Sequence, residues 1–525
     1  MTDIISLTVL EGSLASGKCT LRMTPNTETI RFLRTWRGME IRPATFKFGE
    51  SAVSYTFLGV MSDTGGALFS VPLPVTEAAV FRVKGDVLTI SSPVAVEYAA
   101  SSEGLVPLLR AYGERNRAKK VDTPVVGWNS WDNFNASVME RDIIANMDGI
   151  EKLPWLRKEL SHIIVDDGWQ TNWGEWSVNG KFPSGMDGLA KEIHRRGFKA
   201  GLWLAPLMVE PAAPLYQRTP ECLLKDSRGN PYLINLGHTR TFYGLDVSVK
   251  KSQEFLRDTF RRVRDWGYDY LKLDFLYNQA GVLESGAHAA DASWSTNRHV
   301  AEALSIIRDA VGKDVFILAC NPLYELGDAN INEARMTGDI ASFWENSELA
   351  LQALAARFFM LKTWMLGDPD FTIVRVPGKT WADGAERFHV QMAANREQDP
   401  NSGWRRGPAW DEEGMKFALA VVILSGGSII LGDHIPQLNE RGLSYIKKAL
   451  EYGRGEPGYP LDLNGKQYLP CVFRNDRLIA FFNPFPTPHV FDVPGIRAGK
   501  EIFTGDMCRD IVTVPPRAVR MFELR

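Results

Sequence analysis

The stretch GYDYLKLDFLYNQAG (Gly267–Gly281) has the apolar content of a buried strand, yet it carries Lys272 and Asp274 two residues apart. In a strand, residues i and i+2 share a face. Leu271, Leu273 and Phe275 then face one side, and Lys272 and Asp274 the other. Burying both charges costs several kcal/mol per ion unless they are paired and solvated. They are either a structural ion pair or the lining of an open site where a ligand shares that cost. Two further places carry related chemistry. The run HIIVDDGWQ ends in Asp166 and Asp167, adjacent carboxylates that repel each other. One of them suits a turn or helix cap, and both together suit a metal or a polyhydroxylated ligand. In EARMTGD, Arg335 and Asp339 lie four apart, ~13 Å in a continuous strand at about 3.3 Å per residue. Gly338 offers a bend, which places Arg335 at a strand end and Asp339 in the next loop, reaching back towards Asp274. Two carboxyl groups flanking an acetal carbon can cleave it, one as an ionised nucleophile and one as a proton donor. Each negative charge raises the proton affinity of the other.

With eight histidines and no His-x-His after the first barrel strand, a metal is the weaker ligand for these carboxylates. Sugar hydroxyls fit better, especially beside Trp169, Trp173 and Trp176; tryptophan clusters are usually core, but exposed ones commonly stack on a sugar's C–H faces. Trp203, closing the run GLWLAP, is a candidate apolar wall.

These residues need a scaffold that gathers strand ends. Short apolar runs at 125–131, 162–168, 199–206, 270–275, 315–321, 332–339, 364–370 and 428–434 alternate with helical patterns such as 252–267 and 297–312. Strand–helix alternation implies parallel pairing, and eight units over roughly 330 residues imply a (β/α)8 barrel, whose sites lie at the C-terminal ends of the strands. No Gly-x-Gly-x-x-Gly opens a helix, which disfavours a doubly wound sheet. Before this zone, runs such as AVSYTFLGVM and AVFRVKGDVLTI between Gly, Asp and Ser turns predict a β-sandwich. After it, YLPCVFRN, RLIAFFNP and IVTVPP predict antiparallel strands. The expected divisions are 1–118, an N-terminal β-sandwich; 119–453, the catalytic barrel; and 454–525, a C-terminal antiparallel β-domain.

Composition narrows the function classes. The 525 residues carry a net charge of −3 with no basic tract, so no nucleic-acid partner is expected. Five scattered cysteines (Cys19, Cys222, Cys320, Cys471 and Cys508) suit neither a disulfide framework nor a Cys-ligated zinc. No segment approaches a membrane span, and the first residues lack the marks of a leader. The expected location is cytoplasmic.

The motifs VGWNSW, DDGWQ, GLWLAP and KLDF, then Cys320 and Arg335-x-x-x-Asp339, in this order, resemble glycoside hydrolase family 36 and its sister family 27. The resemblance covers the barrel and extends to all three zones. It implies a retaining α-galactosidase without metal or organic cofactor, acting on an oligosaccharide or other glycoside, and often a homo-oligomer. By position it makes Asp274 the nucleophile and Asp339 the acid/base. It makes Asp166, Asp167, Trp203, Lys272 and Arg335 sugar-holding residues, and places Cys320 near the sugar's 2-hydroxyl. The GDPDF element (Gly367–Phe371) also resembles the family, with Asp368 and Asp370 as scaffold. Trp36 in LRTWRG is the candidate aromatic from the first domain that closes the pocket. One segment departs from the pattern: CNPLYELGDANINEAR puts Tyr324, Glu325 and Asp328 where small residues are usual. If it lies over C2, an acetamido group should fit poorly. The alternatives are an α-N-acetylgalactosaminidase or other α-glycosidase, or an α-galactosyl transglycosylase. Beyond that chemistry stand a non-catalytic carbohydrate-binding barrel and a metal-dependent isomerase.

Overall fold

The computed structural model describes residues 4–38, 44–118, 121–236, 240–327, 330–381, 407–464, 469–492, 498–507 and 511–524. Cys508 and Asp328 therefore lie outside the described residues. Two five-stranded antiparallel sheets form first. One has the order Ile5–Ser13, Lys18–Pro25, Val87–Ser91, Val80–Lys84, Ser51–Tyr55; the other has the order Glu97–Ser101, Gly65–Ser70, Phe57–Ser62, Arg31–Arg34, Thr45–Lys47. Alternation drives them together. In Val80–Lys84, Phe81 and Val83 turn inward while Arg82 and Lys84 stay exposed. They meet Phe32, Phe69 and Leu88 in one core. The helix Leu105–Arg115 lies on the second sheet so closely that a Cβ at Gly66 would come within 2.4 Å of the Leu105 backbone nitrogen.

The middle of the chain is the expected barrel. Its strands are β1 (Val126–Asn129), β2 (His162–Val165), β3 (Lys199–Leu204), β4 (Tyr270–Leu273), β5 (Phe316–Ala319), β6 (Glu333–Arg335), β7 (Leu366–Asp368 with Phe371–Thr372) and β8 (Ile429–Leu431). All pair in parallel with their sequence neighbours, and β1 pairs with β8. β7 is broken in two. Its first half pairs with β6 and its second with β8. Pro369 has no N–H to give a ladder, and Asp370 has φ 73°; together they redirect the chain so that the ring closes. The strands are buried on both faces, as helix-covered parallel sheets require. The helix Lys250–Asp265 turns Leu256, Phe260 and Val263 inward, each worth about 1.5–3 kcal/mol of burial. Thr296–Val311 starts at Ser295, whose hydroxyl accepts from the Arg298 N–H.

An element the sequence did not reveal sits between β3 and β4: the small antiparallel sheet of Met208–Val209, Leu233–Leu236 and Arg240–Gly244. Past the barrel, Tyr459–Pro460, Val472–Arg474, Leu478–Asn483, Ala518–Leu524 and Ala498–Glu501 form a fourth antiparallel sheet, with His489–Asp492 and Ile511–Val514 paired beside it.

Candidate active site

The carboxylates gather where β1 to β7 end. β4 stops at Leu273, and the Asp274 N–H donates to the Leu204 carbonyl of β3 at 2.8 Å. Phe275 then takes φ 57° and turns the chain into the helix Leu276–Ala280. The Asp274 carboxylate accepts from Trp203 Nε1 at 3.1 Å on Oδ2 and from the Phe275 N–H at 2.7 Å on Oδ1. Its pKa is raised. Burial is the main cause, Lys272 pulls the other way, Asp339's charge adds to the rise, and the Trp203 hydrogen bond opposes it.

Lys272 shares the face of Asp274, but its partner is Asp166. Nζ donates to Oδ2 at 2.8 Å, with residue exposures of 5% and 2%. Burial, the largest single cause, would lower the ammonium's pKa, but the surrounding groups, Asp166 foremost, together hold it above the ordinary value. Asn129 Nδ2 from the end of β1 also donates to Asp166 Oδ2 at 2.8 Å, and the Asp167 N–H to Oδ1 at 2.9 Å. Asp167 Oδ1 in turn accepts from Gln170 Nε2 at 2.5 Å and Trp173 Nε1 at 3.0 Å. The two adjacent carboxylates are thus separated by their own donors, which relieves the repulsion their spacing implied.

Of the two readings of the tryptophan cluster, core and exposed stacking surface, the core one holds for Trp169, Trp173 and Trp176. All three are at most 2% exposed. The inserted sheet puts Phe242 against Trp173, stacked at 4.5 Å, and Trp173 packs on Trp203 at 5.0 Å and Phe275 at 5.2 Å. Trp169 Nε1 donates to the Trp203 carbonyl at 2.9 Å. These rings back Trp203, which in turn holds Asp274.

From the other side, Arg335 ends β6, and the backbone bends at Gly338 before Asp339. Arg335 Nη2 reaches Asp339 Oδ1 at 2.8 Å and Asp370 Oδ2 at 2.6 Å, and Nη1 lies 3.7 Å from Cys320 Sγ. Its side chain is 3% exposed, whereas that of Asp339 is 32% exposed. The Cys320 N–H donates to the Leu273 carbonyl at 2.7 Å, which sets Cys320 beside Asp274. Burial pushes the Cys320 thiol well up, and Asp274's charge adds to it. Asp370, considered scaffold in the sequence, is a direct partner of Arg335 and also accepts from the Ile340 N–H at 2.7 Å. Asn129 and Asp370 escaped notice as site residues; their only signals were the positions just inside WNSW and GDPDF.

Tyr324 and Glu325 do not take the place expected of them. Tyr324 donates to the Arg335 carbonyl and belongs to one buried cluster with Leu33 and Phe57 of the sandwich. Glu325 pairs with Arg37 of the sandwich at 2.7 Å. Bulk at these positions serves the contact between sandwich and barrel. Trp36 is half-buried, its ring edge-on to Tyr55 at 5.7 Å, and its carbonyl accepts from Arg357 at 3.3 Å. A groove of 630 Å³ lined by Arg110, Glu114, Lys362, Glu456 and Arg474 contains none of the site carboxylates.

The fold and site define a (β/α)8 barrel with an acidic, tryptophan-backed mouth. Residues 105–309 match the family model described as melibiase, which supports the melibiase-type α-galactosidase family. The chain is similar to α-galactosidase mel1 of Schizosaccharomyces pombe, with 25% identity over 249 residues covering 46% of this chain and 47% of that protein. The matched stretches span only 18% to 47% of the first four curated relatives' own lengths. The fold is that of TtGalA, an α-galactosidase from Thermus thermophilus, at a TM-score of 0.68 and 21% identity, covering 90% of this chain and 95% of that one. The family 36 α-galactosidase AgaA of Geobacillus stearothermophilus aligns at 0.60 and 14% identity, covering 100% of this chain and 75% of its own.

Proposed function

We propose that the protein is a retaining α-galactosidase that removes terminal α-galactosyl residues from oligosaccharides or glycoconjugates. The observation that carries the reading is the placement of two carboxylates at one barrel mouth: Asp274, held by Trp203 and the Phe275 N–H, and Asp339, held by Arg335 and contributing its charge to the field at Asp274. An oxygen of Asp274 attacks C1 of the sugar. The C1–O bond to the leaving group breaks, its electron pair stays on that oxygen, and the proton of Asp339 goes there. Water then attacks C1, Asp339 takes the water's proton, and the bond from C1 to Asp274 breaks, giving net retention. Asp339 Oδ1 lies on Arg335, so Oδ2 is the oxygen that carries the proton. Trp203, Arg335 and Cys320 border the sugar, Trp36 closes the pocket from the sandwich, and Lys272, Asn129, Asp166 and Asp167 form the polar floor.

Family 36 is the finer assignment. Its support is the fold likeness to AgaA over the whole of this chain and the sandwich that precedes the barrel. The division at 118 and 453, a cytoplasmic location and a homo-oligomeric state belong to the same reading; cell fractionation and light scattering test the last two. The deciding experiment is a screen of aryl α- and β-glycosides of galactose, N-acetylgalactosamine, glucose and arabinose, with the anomeric form of the first product read by NMR. α-Galactoside turnover with an α-product is expected. Turnover confined to β-glycosides, or an inverted product, would overturn the reading.

A further inference from the structure

Arg37 has surroundings that the proposed reaction does not explain. It follows the sandwich strand Arg31–Arg34, yet it is 2% exposed and most of its polar partners belong to the barrel. Nη1 pairs with Glu284, and Nη2 with Glu325 at 2.7 Å and with Asn297. The rings of Tyr55 and Tyr277 lie 5.4 and 5.1 Å from its guanidinium carbon. Two carboxylates of the barrel rim thus enclose one cation supplied by another domain. The next residue, Gly38, has φ 69°, and its N–H donates to the Pro322 carbonyl at 3.1 Å. A Cβ there would stand 3.2 Å from both Asn321 Oδ1 and Tyr277 Cδ1. Asn321 directly follows Cys320, and Tyr277 lies three residues past Asp274. The Tyr277 N–H donates to the Asn321 carbonyl at 3.1 Å. The sandwich turn therefore presses on the ends of β4 and β5, immediately behind Asp274 and Cys320.

We infer that Arg37 is a positioning residue of the active site. By fixing the turn Trp36–Gly38 against Asn321 and Tyr277, it sets how closely the wall beside Asp274 approaches the ring carbon next to the one attacked. The inference rests on the α-galactosidase reading, in which that carbon is C2. If Arg37 were only a staple between domains, its loss would lower the folded fraction and reduce turnover of every substrate by one factor. A positioning role changes the ratio between substrates that differ at C2.

The test is made on the full chain with Arg37→Met, Arg37→Lys and Glu284→Gln, the last chosen because the Glu284 side chain is 41% exposed and the fold should tolerate it. The readouts are kcat/KM on 4-nitrophenyl α-galactoside and α-N-acetylgalactosaminide, and inhibition constants of free galactose and N-acetylgalactosamine. A displacement of about 1 Å near a reacting centre costs roughly 100-fold, so Arg37→Met should lose about 10- to 100-fold on the galactoside. The preference for galactose over its 2-acetamido analogue should shrink at least about fivefold on the same grounds. Glu284→Gln should shift the preference in the same direction by less, and Arg37→Lys should restore part of it. A preference unchanged within about twofold in Arg37→Met and Glu284→Gln would overturn the inference, and Glu284→Gln alone decides if Arg37→Met does not fold. A wild-type protein inactive on every α-galactoside would overturn the functional reading and this inference with it. An active wild type with an unmoved preference overturns the inference alone.

Discussion

Asp274 combines opposing demands on one carboxyl group. It must be ionised to attack, yet burial and the charge of Asp339 favour its protonated form, with Lys272 and the Trp203 hydrogen bond pulling back. Because its pKa is raised, activity should be present above that value and lost as pH falls through it. The acid limb of kcat/KM, which reports the free enzyme, should therefore lie above the ordinary carboxylate range. Asp339→Asn keeps the shape of that side chain but has no acidic proton to give. The same variant should lose roughly 10²–10⁴-fold on poor leaving groups and far less on activated ones, which a leaving-group series measures. Asp274→Ala should reduce turnover by at least about 10³-fold, with azide restoring cleavage of activated substrates by attacking C1. Near-wild-type turnover in that variant would remove Asp274 from the nucleophile's place.

The element on which the site turns is β7. Its break at Pro369 and Asp370 closes the barrel and also swings Asp370 onto Arg335 and the Ile340 N–H. Arg335 in turn grips Asp339, so a two-residue interruption in one strand orients the proposed proton donor on another. Asp370→Ala leaves a buried guanidinium short of a partner, a change that costs about 3–5 kcal/mol, and places alanine at φ 73°. Asparagine tolerates the left-handed region and still accepts from the Ile340 N–H, so Asp370→Asn should cost less. Urea denaturation of the two variants checks the order; equal losses would show that the lost charge alone sets the cost and that the backbone conformation at 370 adds nothing.

At the scale of the molecule, sandwich and barrel are joined by buried polar groups as well as by apolar packing. Arg357 lies at 0% exposure and donates to the carbonyls of Met336, Trp36 and Gly38, with its guanidinium 4.4 Å from the Tyr324 ring centre. It ties the β6 end to the sandwich turn. Arg357→Leu would leave these carbonyls buried, at about 1–3 kcal/mol for each one that finds no other donor. A lowered thermal midpoint with a less cooperative transition is the expected result; an unchanged midpoint would mean that water or a neighbour replaces the guanidinium.

The sequence by itself determined what depends on neighbours along the chain. Eight apolar runs with helices between them specify the barrel, the period-2 alternation puts Lys272 and Asp274 on one face, and Gly338 bends the chain between Arg335 and Asp339. Which side chains meet was decided by the tertiary structure. Lys272 pairs with Asp166, 106 residues away, and not with its strand neighbour Asp274, because the two strand ends converge only once β3 stands between β2 and β4. Trp169, Trp173 and Trp176 read as core or as ligand-stacking rings until the inserted sheet covers them. Tyr324 and Glu325 look like substrate contacts until the sandwich arrives with Arg37. Local periodicity fixes the face a residue takes, but the partner on that face comes from other segments, tens to hundreds of residues distant, and only chain closure and domain docking bring them within hydrogen-bond range.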